Sequence, residues 1–349
     1  MTSAISQSCL CRVLVSGRSR TIAGAIRSPA NFQQIRYLRQ HQEKTVRAMY
    51  WRGRSFDRVK LEENFQRSRL SEWNYRSEIF AFSRRLHENL SEDTLRQIFT
   101  HPSYAKLVQA NQAKLNLPHL EIKTNVELCH SGRQLLDDNI RPYLRYVFSR
   151  VPEDGIDQIT QYLTSDETLA DMAKWIGCKE IVLTDEYPPN QEAMANTVRA
   201  LVGGIHSEEP TKVYRFIVDM IISYLNDKDI LEDVWIIPNP QETLNLILAN
   251  SQLPAYEPRI MFQTGVGTLE SCHVVGLYSN QKLIGSSAGE TLAIAEHCAA
   301  LESLRNLFDL TDDRPALIFG EASEKLNLDS CKKPNPCVKT WTFELNELQ

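Results

Sequence analysis

Asn125-Val126-Glu127-Leu128-Cys129-His130-Ser131-Gly132-Arg133-Gln134-Leu135-Leu136 decides how this chain is read, together with a second stretch, Ala195-Asn196-Thr197-Val198-Arg199-Ala200-Leu201-Val202-Gly203-Gly204-Ile205. From Leu128 the positions 132, 135, 136 and 140 recur at helical spacing, with Gly132 small enough for a close contact. Pro142 is expected to end or kink that helix. The second stretch is expected on a helix from about Gln191 to His206, stopped by Ser207-Glu208-Glu209-Pro210.

Working outward, helices are expected over about Glu78–Leu90 and after Ser91, whose hydroxyl suits an N-cap with Glu92 and Asp93 in the first turn. Leu95, Ile98 and Phe99 line that helix, and Pro102 favours a stop at His101. Residues 105–122 read as a polar, leucine-dotted connector. Thr168 to Ile176 reads as an amphipathic helix closed by Gly177, and Val213–Leu225 as a further helix. A boundary falls at Trp235-Ile236-Ile237-Pro238-Asn239-Pro240. Beyond it a short helix around Leu244, Ile247 and Leu248 precedes strand-like runs at Arg259–Gln263, His273–Tyr278 and Lys282–Gly285. Tyr278-Ser279-Asn280-Gln281-Lys282 suits a hairpin connection. Glu290–Phe308 is strongly helical, and residues 311–349 are a polar tail with no assignable role.

These segments resemble two known families. The first pair of stretches resembles the ribonuclease III family, whose signature helix reads N-E-R-L-E-F-L-G-D-x-V-L and whose later helix reads A-D-T-F-E-A-x-x-G-A-I. Asn125, Leu128, Gly132 and Leu136 match, as do Ala195, Thr197, Ala200, Gly203 and Ile205. The family's four metal-binding acids are replaced by Cys129, Arg133, Asn196 and Arg199. Sliding the register restores nothing, because no two acids between 121 and 140 lie four apart and none between 180 and 209 lie three apart. Magnesium requires oxygen ligands at short range. A guanidinium about 5 Å from a dication is repelled by roughly 7 kcal/mol at an effective dielectric near 20. The resemblance therefore implies the fold without the metal, the cofactor or the catalysis: no catalytic and no metal-binding residue is assigned. His101-Pro102-Ser103-Tyr104 resembles the family's T-H-x-S-Y segment and reads as helix-end packing.

Residues 236–310, helix, three strands and helix, resemble a double-stranded-RNA-binding domain. That family grips phosphates with lysines opening its last helix, and the matching positions here are Leu292, Ala293 and Glu296. The fold class is thus α+β: an all-helical ribonuclease III-like domain at 71–228, followed by an α-β-β-β-α double-stranded-RNA-binding-like domain.

Composition agrees with a globular chain of 349 residues, 42% hydrophobic and 24% charged. No apolar run is long enough to span a membrane. The eight cysteines show no convincing ligand spacing, Cys331 and Cys337 included, and read as free thiols in a reducing compartment. Residues 1–42 hold six arginines and six serines with no acid before Glu43. That is the composition of a mitochondrial transit peptide, placed at 1–40, with a disordered basic arm as the alternative. Residues 1–60 carry a net +10 and the remainder −15. An acidic body repels polyanions. RNA contact is therefore expected from the basic extension at 41–70, through Arg47, Arg52, Arg54, Arg58 and Lys60, with Tyr50 and Trp51 available to stack. A solvated linker is the alternative for that segment.

A basic leader, an acid-stripped nuclease fold and a lysine-stripped RNA-binding fold, in this order, resemble the ribonuclease III-like family of mitochondrial large-subunit ribosomal proteins. The resemblance implies a structural, non-enzymatic role in the matrix. Its implied partners are mitochondrial ribosomal RNA and other large-subunit mitochondrial ribosomal proteins, with no small-molecule substrate. A non-ribosomal mitochondrial RNA-binding factor is the alternative.

Overall fold

Local capping signals set most helix limits. The computed structural model describes Ala48 and residues 66–343, apart from 70, 71, 89, 117, 119, 120, 269, 312, 313 and 315. Residues 66 onward form one unit, and residues 1–65 fall in another. In α1 (Tyr75–Leu86) the Asn74 side chain accepts from the Ser77 N–H, and the helix stops at His87 in a left-handed conformation. Ser91 caps α2 (Glu92–Phe99) by accepting from the Thr94 N–H, as its sequence position suggests. Phe82 and Phe99 meet edge to face, 5.0 Å between centroids, and join α1 to α2.

The expected connector after Tyr104 is instead helical. α3 (Pro102–Lys114) starts with Pro102 in its first turn and a cap from His101. Only Ala105 of it is buried, so its sequence carries no apolar period to betray it. The signature stretch forms α4 (Val126–Val147), which runs through Pro142 instead of ending there. Ile140, Tyr143 and Leu144 are all fully buried around that proline, and their packing offsets the lost backbone bond. Next come α5 (Glu153–Thr164) and α6 (Asp166–Ile176), the latter closed by Gly177 at φ +89°.

α7 (Gln191–Glu208) is the central helix. It is buried continuously over residues 197–205 and packs against α4, α6 and α2. A helix apolar all round belongs inside a core. After α8 (Pro210–Phe216) the helix expected to reach Leu225 widens into a π-turn at Ile217–Ile221 and tightens at Ile222–Leu225; nothing in the structure explains the change.

The second module comprises α9 (Pro240–Asn250), β1 (Glu257–Thr264), β2 (Cys272–Ser279), β3 (Lys282–Gly289) and α10 (Leu292–Leu307). Its sheet is antiparallel in the order β1-β2-β3. Asn280 and Gln281 both take positive φ, which suits the two-residue turn between β2 and β3. α10 packs on β3 and β2, and Val275, Leu277 and Ile284 of the sheet are buried in the core with Ala295, Ala299 and Leu304 of the helix.

The described residues after 310 dock on both modules. The Tyr143 hydroxyl donates to the Ile318 carbonyl at 2.8 Å and accepts from the Ile318 N–H at 3.1 Å. Past α11 (Glu321–Glu324), the Asn335 N–H donates to Glu153 at 2.9 Å, and Glu153 in turn is paired with Arg145 at 2.5 Å. Trp341, 6% exposed, donates its indole N–H to the Arg150 carbonyl at 2.9 Å and meets Phe308 edge to face. Asn250 holds the Lys339 carbonyl at 2.8 Å. The segment therefore bridges the helical module and the sheet module. Its contacts are scattered and aperiodic, which is why composition made it look like a tail.

Candidate functional site

Two glycines allow α4 and α7 to approach backbone to backbone. A side chain at Gly132 would strike the Arg199 carbonyl, and one at Gly203 would strike the Leu128 carbonyl. The other matching frame residues also serve packing. Asn125 is buried, and its amide donates to the Ile98 carbonyl at 3.3 Å. Thr197 is buried and returns its hydroxyl to the Ala193 carbonyl at 2.8 Å.

That approach brings Cys129, Arg133, Asn196 and Arg199 together. The Cys129 thiol donates to the Asn196 carbonyl oxygen at 2.9 Å. The Asn196 Oδ1 accepts from Arg133 at 3.2 Å and from Arg199 at 3.1 Å. Arg199, 6% exposed, also donates to the Thr164 carbonyl at 2.8 Å and pairs with Asp166 at 2.6 Å. Burial pushes the Cys129 thiol up to about 11, against the pull of the neighbouring Arg133 and Arg199 charges, so it is a neutral donor at physiological pH. Asp166 was invisible as a partner from sequence, where the helix is read only from Thr168.

A divalent metal does not fit these residues. Both lone pairs of the Asn196 side-chain oxygen are engaged by guanidinium groups, and the Asp166 carboxylate is engaged by the buried one. Among the described residues there is no group of three or more His, Cys, Asp and Glu able to hold a metal ion. The arrangement fastens four helices, α4 and α7 to the end of α5 and the start of α6, through a polar network in which each of these buried groups is satisfied.

His101 and Ser103 form a helix cap. The His101 Nδ1 accepts from the Ser103 N–H at 3.3 Å and lies 2.9 Å from the Ser103 Oγ, which accepts from the Asp185 N–H at 3.3 Å. Burial lowers the His101 pKa. Serine sits between the histidine and the acid, the wrong order for a hydrolytic triad.

In the sheet module, Leu292 and Ala293 are exposed in the first turn of α10, where lysines are expected of an RNA grip. Glu296 accepts from the Tyr256 hydroxyl at 2.9 Å. Burial and that carboxylate push the Tyr256 phenol up to about 12. Cys331 and Cys337 are free thiols. Arg47, Arg52, Arg54, Arg58 and Lys60 lie outside the described residues.

Comparison with known proteins matches both modules. The family model described as "Large ribosomal subunit protein mL44, endonuclease domain" matches residues 74–205. The model described as "MRPL44 dsRNA-binding domain" matches residues 235–342, a span that takes in the bridging segment. The large ribosomal subunit protein mL44 of Caenorhabditis elegans is 33% identical over 274 residues, which is 77% of this chain and 68% of that protein. Among solved structures, the nuclease domain of ribonuclease III from Campylobacter jejuni is 16% identical. The match covers 42% of this chain and 96% of that one, with a TM-score of 0.35. Dicer from Pichia stipitis is 13% identical, covering 52% and 87%, with a TM-score of 0.27.

Proposed function

This chain belongs to the mL44 family of large ribosomal subunit proteins, and from that premise we propose that it is a structural component of the mitochondrial large ribosomal subunit without nuclease activity. It supports mitochondrial translation by binding ribosomal RNA and neighbouring ribosomal proteins. The observation that carries the loss of catalysis is the network around Asn196. Two guanidinium groups and a neutral thiol occupy the place where hydrolysis of a phosphodiester needs carboxylates and metal.

In this reading residues 1–40 direct the chain to the mitochondrial matrix and are removed. The extension at 41–70 follows, and its Arg47, Arg52, Arg54, Arg58 and Lys60 contact RNA by phosphate neutralisation. Residues 71–228 and 236–310 act as two retained folds, and the described residues of the segment 311–349 help fasten one to the other.

Sedimentation of the tagged chain with the large mitochondrial subunit in high salt tests the ribosomal role; recovery in the soluble fractions alone would remove it and favour a non-ribosomal RNA-binding factor. Incubation with duplex RNA and magnesium tests the catalytic half. No cleavage is expected, and cutting abolished by chelator would overturn it.

A further inference from the structure

β1 is exposed along its whole length, while β2 and β3 are partly covered. Ile260 lies opposite Val275, and residues directly opposite share a face of the sheet. Val275 is 3% exposed, yet Ile260 is 52% exposed. The covered face of the sheet therefore ends before β1. The Tyr256–Glu296 hydrogen bond marks the side of α10 that looks toward this strand. Leu292 stands one turn before Glu296 on the same side of the helix. Strand alternation carries the side of Tyr256 on to Ile260. Exposed Leu292 and Ile260 thus flank one uncovered strip. Ile294 and Val266 are exposed at its end, where the Ser271 hydroxyl donates to the Glu290 carbonyl at 2.9 Å and ties the β1–β2 connection to the start of α10.

The charge around this strip is one-sided. Between Arg259 and Arg305 the sequence holds one Lys or Arg, Lys282, and it lies at the opposite end of the β2–β3 hairpin. Glu270 and Glu290 are exposed at the strip's end, with no ion-pair partner among the described residues. Phosphate binding needs cations, so this end of the domain repels duplex RNA. An exposed apolar patch with a polar rim is instead the signature of a protein contact.

We propose that the uncovered face of β1, Val266 and the first turn of α10 dock an apolar segment of a neighbouring protein, flanked by Lys or Arg that answer Glu270 and Glu290. The surface lies at the end of the domain where the lysines of an RNA grip are missing, so the domain has exchanged a nucleic-acid contact for a protein one. This rests on the ribosomal reading above.

The test places the photo-crosslinker p-benzoylphenylalanine at Leu292 or at Ile260 in the full chain, with exposed Leu115 as the remote control. The large subunit is isolated, irradiated and digested with ribonuclease, and adducts are identified by mass spectrometry. Adducts from 260 and 292 on one other polypeptide, in a stretch containing Lys or Arg, are expected. Glu270→Lys combined with Glu290→Lys is expected to lower their yield per incorporated chain about tenfold. Adducts on RNA, on a second copy of this chain, or on a segment without basic residues would overturn the proposal. So would an incorporated chain that gives no adduct, or a yield unchanged by charge reversal. A chain that never enters the subunit counts against the ribosomal reading itself and removes both.

Discussion

Replacing Gly132 by alanine inserts one carbon into the contact between α4 and α7, 2.7 Å from the Arg199 carbonyl carbon and 3.3 Å from its Cα. Carbon atoms in contact rest about 3.5–4.0 Å apart, so the helices must part by about 1 Å. The obstacle is backbone and cannot rotate away, which places the cost at the upper end of overpacking, about 3 kcal/mol. Alanine's better helix propensity returns about 1 kcal/mol. The net loss is about 2 kcal/mol, or a fall in Tm of about 4–8 °C for a folded unit of this size. Gly203→Ala opposes the same approach from the other helix, against Leu128. Parting the helices once relieves both, so the double variant is expected to lose about 1 kcal/mol less than the sum of the singles. Thermal and urea unfolding of the four proteins measure the cycle. A Gly132→Ala protein that melts at or above the parent temperature would show that the two backbones do not touch and would refute the reasoning.

Three further outcomes are expected. Trp341→Ala removes a buried ring and its bond to the Arg150 carbonyl, and is expected to cost about 3–5 kcal/mol in urea unfolding; a loss below 1 kcal/mol would mean the bridging segment is not docked. Arg145→Ala leaves the nearly buried Glu153 with only the longer contact to Arg141, at 3.9 Å, as an ion pair. It is expected to cost about 3 kcal/mol at neutral pH, the lower end for a broken buried pair, and an unchanged midpoint would contradict the pairing. Stability is also expected to fall in alkali. The Cys129 thiol is raised from its ordinary 9.0 to about 11, the Cys178 thiol to about 12 and the Tyr143 phenol from 10.0 to about 12. The unfolded chain releases those protons first, so stability is complete below about pH 9 and is lost as pH rises toward 11 and beyond. A flat profile from pH 8.5 to 11 would exclude these shifts.

Where one short segment carries its own signal, the sequence was enough. Ser91 and Gly177 mark helix ends by local chemistry, and the Asn280-Gln281 turn sets the hairpin by backbone preference. Gly132 and Gly203 mark a close approach because no other residue fits one. α3 escaped notice because an exposed helix leaves no apolar rhythm. The path through Pro142 depends on burial of Ile140, Tyr143 and Leu144 by distant partners. At the site, Cys129, Arg133, Asn196 and Arg199 could be singled out from sequence, but the hydrogen bonds that join them and the role of Asp166 could not. Those depend on four helices meeting. The segment after 310 was least legible of all, since Tyr143, Arg145 and Arg150 bind it across gaps of 175 to 191 residues.

Those long gaps set an order of events. During synthesis the helices from α1 to α7 emerge well before Ile318, Asn335 and Trp341 exist. A newborn chain therefore presents Tyr143, the Arg145–Glu153 pair and the Arg150 carbonyl to water, or to a chaperone, until its last described stretch arrives. Contacts so distant in sequence close slowly. The molecule behaves like a case whose clasp is made last: its early part collapses as it appears, Arg305 can already reach Asp229 and Glu232, and the late arrival of Trp341 adds the closing lock between the two modules.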